Sequence, residues 1–141
     1  MAKLQLSLEV RELVMRKASH CCEYCKSRDK YAPHYFTIDH IIALSMGGTD
    51  DIINLAYACF LCNRLKSNKL MLFDQLTEQW VVIFNPRTHT WNDHFSWSED
   101  ATLIYGTTAI GRSTATFLKL NREKLIEYRK SIFPLGEHPP L

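Results

Sequence analysis

Apolar side chains near the start of the chain recur with the period of a helix. Leu6, Val10 and Val14 fall on one stripe, and Ser7 stands just before the stripe continues. Because a serine hydroxyl can accept a hydrogen bond from a free amide of the first turn, Ser7 suits the N-cap position. The pattern predicts a helix over about residues 8–18.

The pattern then changes to short runs of β-branched and aromatic residues. Residues 36–41 and 55–58 are two such runs, and the glycine-rich residues 47–50 between them are typical of a turn. Residues 60–72 have helical character, in which Leu61, Leu65 and Leu72 share one stripe and Asn63 and Lys66 share another face. Two strands and this helix predict a ββα unit, in which a strand end and a helix face converge on one point.

The rest of the chain predicts a mixed set of elements. Residues 80–84 form an apolar run that ends at Asn85-Pro86 and predicts a buried strand. Further on, the aromatic residues Trp91, Phe95 and Trp97 alternate with polar ones. They predict another strand or an extended wall, and we expect them to pack in the core rather than to stack on bases.

Two helices are expected near the end of the chain. Residues 111–119 have a helical pattern, and Asn121 suits the cap of a last helix with an apolar stripe from Leu125 to Phe133. Residues 136–140 suggest a frayed tail. The whole pattern predicts an α+β fold.

Composition favours a soluble globular protein. Of the 141 residues, 46% are hydrophobic, yet the longest aliphatic-aromatic run is far shorter than the ~18 residues of a membrane span. The first residues lack the apolar core of a signal peptide, because Glu9, Arg11 and Glu12 interrupt it. We therefore expect a cytoplasmic protein with no membrane partner.

Charge adds little to this picture. The net charge of +2 is too small to indicate a nucleic-acid partner by itself. Residues 1–70 carry ten Lys or Arg and seven Asp or Glu, whereas residues 71–141 carry seven and eight. The slight basic excess therefore lies in the first half of the chain.

Four of the five cysteines form two CxxC pairs. The pairs are Cys22/Cys25 and Cys59/Cys62, and 33 residues separate them. In a cytoplasmic protein such pairs indicate metal binding rather than disulfides, and two of them supply the closed thiolate set of a structural Zn²⁺ site. The fifth, Cys21, would break the CxxC spacing, so we favour Cys22 as the ligand. Redox chemistry by the CxxC pairs is an alternative that would require free thiols.

The segment between the pairs holds groups suited to phosphodiester hydrolysis, which needs a base to activate water and a divalent cation to neutralise charge. The imidazole of His40 can take up a proton near neutral pH. Asp39 points to the other side of an extended strand, and Asn63 lies on the following helix. Their oxygens are ligands that Mg²⁺ takes together with water. Each residue alone is a weak signal, since an Asp-His pair is more often a surface turn.

In combination, these residues resemble the HNH endonuclease family, whose ββα-metal core is often built around two zinc knuckles. The resemblance covers residues 8–70, about half of the chain. It rests on these segments: Cys22-Glu23-Tyr24-Cys25, Ile38-Asp39-His40-Ile41-Ile42, Gly47-Gly48-Thr49-Asp50, Asn54-Leu55 and Cys59 to Lys66. It implies a zinc-stapled nuclease core over residues 1–72. Residues 73–141 would form a mixed β/α extension that packs on this core, with no function assigned.

The resemblance also implies a role for each matching residue. His40 is implied to be the general base, and Asp39 and Asn63 to be ligands of a catalytic Mg²⁺ or Mn²⁺ ion. Asn54 is implied to organise the loop through backbone hydrogen bonds and to help hold the base. Four cysteines, Cys22, Cys25, Cys59 and Cys62, are implied to bind the structural zinc.

The helix after the second CxxC pair also carries basic residues, and two positions of the chain depart from the HNH family pattern. Arg64 and Lys66 lie where basic side chains can meet phosphates, although a solvated helix face is an equally good interpretation. Asn63 replaces the histidine that ends the family motif, which favours Mg²⁺ or Mn²⁺ over softer ions. Ala43 stands where the family often has proline, and this removes no reactive group.

The sequence thus predicts a metal-dependent endonuclease acting on DNA. RNA stays open as a substrate, and a homodimer stays open as the assembly, because one active site cuts one strand. The alternative from another class is a non-catalytic zinc-containing module that binds nucleic acid. Asp93-His94 repeats the Asp-His pair without flanking cysteines, and we expect it to be structural.

Overall fold

Short helices and small sheets make up the part of the chain that the computed structural model describes, residues 6–140. In chain order the elements are α1 (Leu8–Lys17), β1 (Thr37–His40), β2 (Leu55–Ala58), α2 (Phe60–Lys66), β3 (Met71–Asp74), β4 (Gln79–Val82), α3 (Trp91–His94), β5 (Phe95–Trp97), β6 (Ile104–Gly106), α4 (Ala109–Phe117) and α5 (Glu123–Ile132). The strands form three antiparallel pairs, β1–β2, β3–β4 and β5–β6. This mixture confirms the expected α+β class. Within residues 6–140, no helix has the length and apolarity needed to cross a bilayer.

The first half forms the predicted ββα unit. Strands β1 and β2 pair in a register that places His40 opposite Leu55. Helix α1 begins after Ser7, whose hydroxyl accepts a hydrogen bond from the amide of Val10 at 3.2 Å, so the predicted N-cap is confirmed. Val14 of α1 packs with Leu55 and other buried residues of β2. This packing holds α1 against strand β2 of the β1–β2 sheet.

Helix α2 is shorter than the sequence indicates. It ends at Lys66, because Ser67 has a positive φ of 51° that turns the chain out of the helix. Leu72, predicted on the leucine stripe of this helix, instead lies in β3, where it is buried opposite Val81. The leucine spacing fits both a helix and an alternating strand, and tertiary packing selects the strand here.

The β3–β4 hairpin has one open face. The predicted strand over residues 80–84 is present as β4, but its expected burial is wrong, since Trp80 is 66% exposed. Only Ile83 and Phe84, just beyond the strand, are buried. Helix α4 contacts both β3 and β4, which covers the opposite face of this two-stranded sheet.

One hydrophobic core joins the two halves of the chain. Tyr24 and the cysteines of the two CxxC pairs belong to the same cluster as Phe84, Trp91, Phe95 and Leu118. The aromatic residues expected in the core are therefore there, although Trp91 begins the short helix α3 and not a strand. The predicted division after residue 72 falls inside β3, and packing connects both sides of it.

Two expectations near the C-terminus are wrong. Asn121 does not cap α5, whose N-cap position is Arg122. The Asn121 side chain instead accepts a hydrogen bond from the amide of Ile104 at 2.7 Å and donates one to its carbonyl at 2.8 Å. The tail is not frayed: His138 is buried, and the Glu137 carboxylate accepts hydrogen bonds from the Lys30 ammonium and the Tyr31 hydroxyl.

Candidate active site and metal centre

The two CxxC pairs meet at one point. The sulfur atoms of Cys22, Cys25, Cys59 and Cys62 all lie within 4.8 Å of one another, and the side chains are buried. The sulfurs of Cys25 and Cys59 are 3.8 Å apart. A tetrahedral ion with metal–sulfur bonds of ~2.3 Å places its sulfurs about 3.8 Å apart. The four cysteines are thus placed to bind one metal ion.

The surroundings of the cluster favour thiolates. The backbone amides of Cys25 and Cys62 point at the sulfurs of Cys22 and Cys59 at 3.5 and 3.4 Å. The guanidinium of Arg122 lies 3.5 Å from the Cys59 sulfur and 3.7 Å from the Cys62 sulfur. Four thiolates around one divalent ion carry a net charge of about −2, and this arginine offsets part of it.

The four thiols do not titrate alike. Hydrogen bonds from Cys22, Cys59 and Cys62 lower the pKa of Cys25. The pKa of Cys59 is lowered by hydrogen bonds from Cys22 and Cys62, against an opposing effect of Cys25. Burial raises the pKa of Cys22. The anionic form that a metal ion needs is therefore easier to reach at Cys25 and Cys59 than at Cys22.

Cys21 lies outside this cluster. It is buried, and its thiol donates a hydrogen bond to the carbonyl of Ser19 at 3.5 Å. The cluster of possible metal ligands among residues 6–140 contains Cys22 and not Cys21, as the CxxC spacing predicts.

His40 is held by a carboxylate that the sequence analysis did not assign. Its Nε2 lies 2.7 Å from Oδ1 of Asp50, in the glycine-rich turn between β1 and β2. The His40 side chain is 17% exposed, and that of Asp50 is 32% exposed. Because a carboxylate only accepts hydrogen bonds, Nε2 must carry the hydrogen, and Nδ1 is left as the basic nitrogen.

Asp39 points into the protein, on the opposite side of β1 from His40. It is 3% exposed, and its Oδ2 accepts a hydrogen bond of 2.7 Å from the hydroxyl of Tyr24. Its Oδ1 lies 3.3 Å from the ammonium of Lys66. Burial raises the pKa of Asp39, and the positive charge of Lys66 opposes this effect. Tyr24 stands between Cys22 and Cys25, so the first knuckle contacts this carboxylate directly.

The position of Lys66 corrects the expectation that it meets phosphates or lies on a solvated face. It is fully buried, and its ammonium also donates to the carbonyl oxygens of His40 at 3.1 Å and Ile41 at 2.9 Å. With Asp39 as the third acceptor, all three of its hydrogens are used. Lys66 therefore ties α2 to the end of β1. The helical period alone does not say which face of α2 packs on the sheet, so the burial of Lys66 could not be predicted from it.

Asn54 fastens the loop that follows His40. Its Oδ1 accepts from the amide of Ile42 at 2.8 Å, and its Nδ2 donates to the carbonyls of Ile42 at 2.9 Å and Thr49 at 2.8 Å. Gly48 lies so close that a Cβ there would overlap the Ile42 carbonyl. This crosslink holds the turn that carries Asp50.

The remaining predicted residues lie on α2. Asn63 is one turn before Lys66 and therefore shares its strand-facing side, and it is half-buried. Its side chain makes no hydrogen bond to the residues that the structure describes. Arg64 is exposed, on a different face. The helix thus brings Asn63 toward the end of β1 and leaves Arg64 in solvent.

The C-terminal half docks on the first knuckle. The guanidinium of Arg87 forms an ion pair with the largely buried carboxylate of Glu23, whose other oxygen accepts from the amide of Tyr57 at 2.8 Å. The indole of Trp91 donates to the carbonyl of Tyr24 at 3.1 Å. These contacts link the second half to the knuckle that holds Asp39.

The second Asp-His pair lies apart from this centre. His94 Nδ1 is 2.7 Å from the Thr108 hydroxyl, at the start of α4. Its ring packs beside His89 and Phe84. These contacts are structural, as expected for Asp93-His94.

Sequence reasoning did not assign roles to Asp50, Tyr24 or Arg122. Asp50 belongs to a recognised turn, and its distance of ten residues from His40 carries no periodic signal. Tyr24 lies inside a CxxC pair, where a buried aromatic residue is expected for packing alone. Arg122 is 60 residues from Cys62, so only the tertiary fold brings them together.

Comparison with known proteins agrees with this geometry. The sequence model of the HNH endonuclease family matches residues 22–69, from the first cysteine of the cluster to just past α2. Neither the curated proteins nor the solved structures that were compared gave a match. The matched segment contains all four clustered cysteines and the ββα unit with Asp39 and His40. Residues 22–69, about a third of the chain, are therefore similar to the HNH endonuclease family.

Proposed function

We propose that the protein is a metal-dependent endonuclease that hydrolyses phosphodiester bonds in DNA. The observation that carries the proposal is the hydrogen bond between His40 and Asp50 within the segment that matches the HNH family. An imidazole that is partly exposed and oriented by a carboxylate is suited to general-base catalysis.

His40 would activate the attacking water. With the Nε2 hydrogen donated to Asp50, its Nδ1 would accept a proton from water while the oxygen attacks phosphorus. The bond from phosphorus to the leaving oxygen would break, and that oxygen would take up a proton from solvent to give a hydroxyl group. Asp50 would keep the ring in this tautomer and stabilise the imidazolium that forms. Asn54 would hold the loop in place, so that the base and its carboxylate stay in register.

Asp39 and Asn63 would hold the catalytic ion. An anionic carboxylate and a neutral carboxamide oxygen are a hard donor set that suits Mg²⁺ or Mn²⁺, which keep part of their water shell. Such an ion supplies positive charge to the phosphate and the leaving oxygen. Tyr24 and Lys66 use only part of the hydrogen-bonding capacity of Asp39, since each carboxylate oxygen has two lone pairs.

The four cysteines would bind a structural Zn²⁺ ion. Their buried, closed arrangement leaves no position for a substrate. Zinc would fix the first knuckle against α2, and through Tyr24 it would help to place Asp39.

DNA is the proposed partner, with the exposed Arg64 available for phosphates. One site cuts one strand, so a double-strand break would need two successive events or a homodimer. Competition by RNA in the same assay would separate the two polymers as substrates.

A plasmid-nicking assay with Mg²⁺ tests the proposal. We expect His40→Ala to lower the nicking rate by about 10²–10⁴-fold, the usual contribution of a general base. Asp50→Asn should lower it less, because the ring keeps its place but loses the carboxylate. His20→Ala is the matched control, since His20 forms a similar pair with Asp29 at 3.1 Å on the surface. Nicking by His40→Ala at the wild-type rate would refute the mechanism.

A second candidate is a non-catalytic zinc module that binds nucleic acid. The observation in its favour is the burial of Asp39, whose two oxygens already accept hydrogen bonds from Tyr24 and Lys66. This candidate predicts nucleic-acid binding that is indifferent to Mg²⁺ and no nicking at any Mg²⁺ or Mn²⁺ concentration.

A further inference from the structure

The second half of the chain contains a groove that the nuclease site does not use. Its volume is about 830 Å³, and it lies between the β3–β4 hairpin, strand β6 and helix α4. Small-molecule sites in proteins usually have volumes of ~300–1,000 Å³. The groove is therefore large enough for a nucleotide.

Aromatic side chains form its walls. Phe73 of β3 is 38% exposed, Tyr105 of β6 is 51% exposed, and Phe117 of α4 is partly buried. Trp80 lies outside the lining of the groove, is 66% exposed, and packs edge-on against Phe73 with ring centroids 5.5 Å apart. The aromatic residues within 91–97 pack in the core, whereas the rings of Phe73, Trp80 and Tyr105 are exposed to solvent. Exposed rings are suited to stacking on a planar ligand.

The polar groups of the groove favour an anion. Arg112 and Lys119 line it, and the single acidic residue among the described lining residues is Asp74. Arg112 already neutralises Asp74, with guanidinium–carboxylate distances of 3.0 and 3.2 Å. Lys119 is exposed and forms no ion pair with residues 6–140. A cationic ligand would meet no free carboxylate here.

A buried hydroxyl adds a further polar group to the groove wall. Ser113 is 6% exposed and lines the groove, yet its Oγ has no hydrogen-bond partner among the described residues. A buried hydroxyl without a partner carries a desolvation cost. Because its oxygen has almost no accessible surface, Ser113 forms part of the groove wall and does not itself contact a ligand.

We propose that this groove binds a nucleotide, with its base against Phe73 and Tyr105 and its phosphate near Lys119 and Arg112. This identification of the ligand rests on the proposed nuclease function. The nucleotide is then an unstacked one, in a single-stranded or distorted part of the nucleic-acid substrate. The same chemistry is offered by a free mononucleotide. The C-terminal half is then a binding surface for unpaired bases, and it is joined to the cysteine cluster through Arg122, which also lines the groove.

Binding measurements without turnover test the proposal. The probe is a fluorescent single-stranded DNA oligonucleotide of roughly 12 nucleotides, within the site sizes of single-strand binders. It is titrated by anisotropy against the zinc-loaded His40→Ala protein, which prevents cleavage. A second arm measures deoxyadenosine monophosphate by calorimetry.

The test variant is Tyr105→Ala combined with Lys119→Ala. We expect it to bind the oligonucleotide about tenfold more weakly, because loss of one stacking ring and one phosphate contact has this order of effect. The matched control is Phe133→Ala with Lys130→Ala, since Phe133 is also 51% exposed and both residues lie outside the groove. The control should bind like the parent protein. Thermal unfolding of both variants verifies that they are folded.

Each outcome decides between the possibilities. Weaker oligonucleotide binding by the groove variant alone supports a site for a nucleotide within a polymer. Mononucleotide binding that the groove variant abolishes supports the same site with a free nucleotide as its ligand. Equal binding by the groove variant, the control and the parent overturns the proposal. Nicking by the wild-type protein is scored separately, so loss of the groove proposal and loss of the nuclease proposal give different results.

Discussion

The crosslink made by Asn54 predicts a large effect of one side chain on stability. Replacing Asn54 with alanine leaves the amide of Ile42 and the carbonyls of Ile42 and Thr49 without their partner. Each intramolecular hydrogen bond contributes about 0.5–1.5 kcal/mol net, so the three together contribute about 3 kcal/mol. Because Ile42 and Thr49 are exposed, water can replace some of this, and we expect a loss of about 2–3 kcal/mol.

Aspartate at the same position gives a sharper comparison. Asn54→Asp keeps an oxygen for the Ile42 amide but places the second oxygen against the carbonyls of Ile42 and Thr49. Two acceptors then face each other without a hydrogen, so this variant should be destabilised at least as much as Asn54→Ala. A simple loss of packing volume predicts the opposite order, since aspartate and asparagine have nearly the same size.

Urea unfolding followed by circular dichroism, with zinc in fixed excess, measures these differences. Asn68→Ala is the control, because Asn68 is exposed and its side chain makes no hydrogen bond within residues 6–140; it should change the free energy of unfolding by less than about 0.5 kcal/mol. A loss below about 1 kcal/mol for Asn54→Ala, or a more stable Asn54→Asp than Asn54→Ala, would contradict the crosslink argument.

Three further predictions concern other contacts. Cys59→Ser should lose bound zinc and unfold at a lower temperature, whereas Cys21→Ser should keep its zinc, as measured by metal analysis and calorimetry. Hydrogen bonds from Arg112 and Thr77 lower the pKa of Asp74 to about 2, below the ordinary value of ~3.9. Their stabilisation is therefore full above about pH 4 and is lost as the pH falls through 2, so the difference in urea midpoint between wild type and Asp74→Asn should shrink over that range. Tyr24→Phe removes a buried hydrogen bond to a carboxylate and should lower the free energy of unfolding by about 1.5–3 kcal/mol. An unchanged urea midpoint would contradict this.

Local features of the fold could be predicted well. The N-cap at Ser7, the strand over residues 55–58 and the helix near residues 111–119 all depend on neighbouring residues, and the structure confirms each of them. The end of α2 at Lys66 could not be predicted, because the leucine spacing beyond it fits a helix and a strand equally well.

Contacts across long stretches of chain account for the other errors. Asn121 suits a helix cap by its residue type, but its side chain is used by the backbone of Ile104, and the chain places Arg122 at the cap. The tail residue His138 is polar and near the end of the chain, yet it is buried between the carbonyl of Ala101 and the ring of Trp97. Neither partner can be identified from local sequence.

The sequence by itself determined the four cysteines that cluster, the ββα order and the set of groups between the pairs, because the spacing of a CxxC turn and the alternation of a strand are local properties. Only the tertiary structure decided what each group contacts. It pairs His40 with Asp50, buries Lys66 against Asp39 and leaves a groove walled by Phe73 and Tyr105 in the second half. These arrangements depend on how separate elements pack, and packing is set by the whole core rather than by any one segment of the chain.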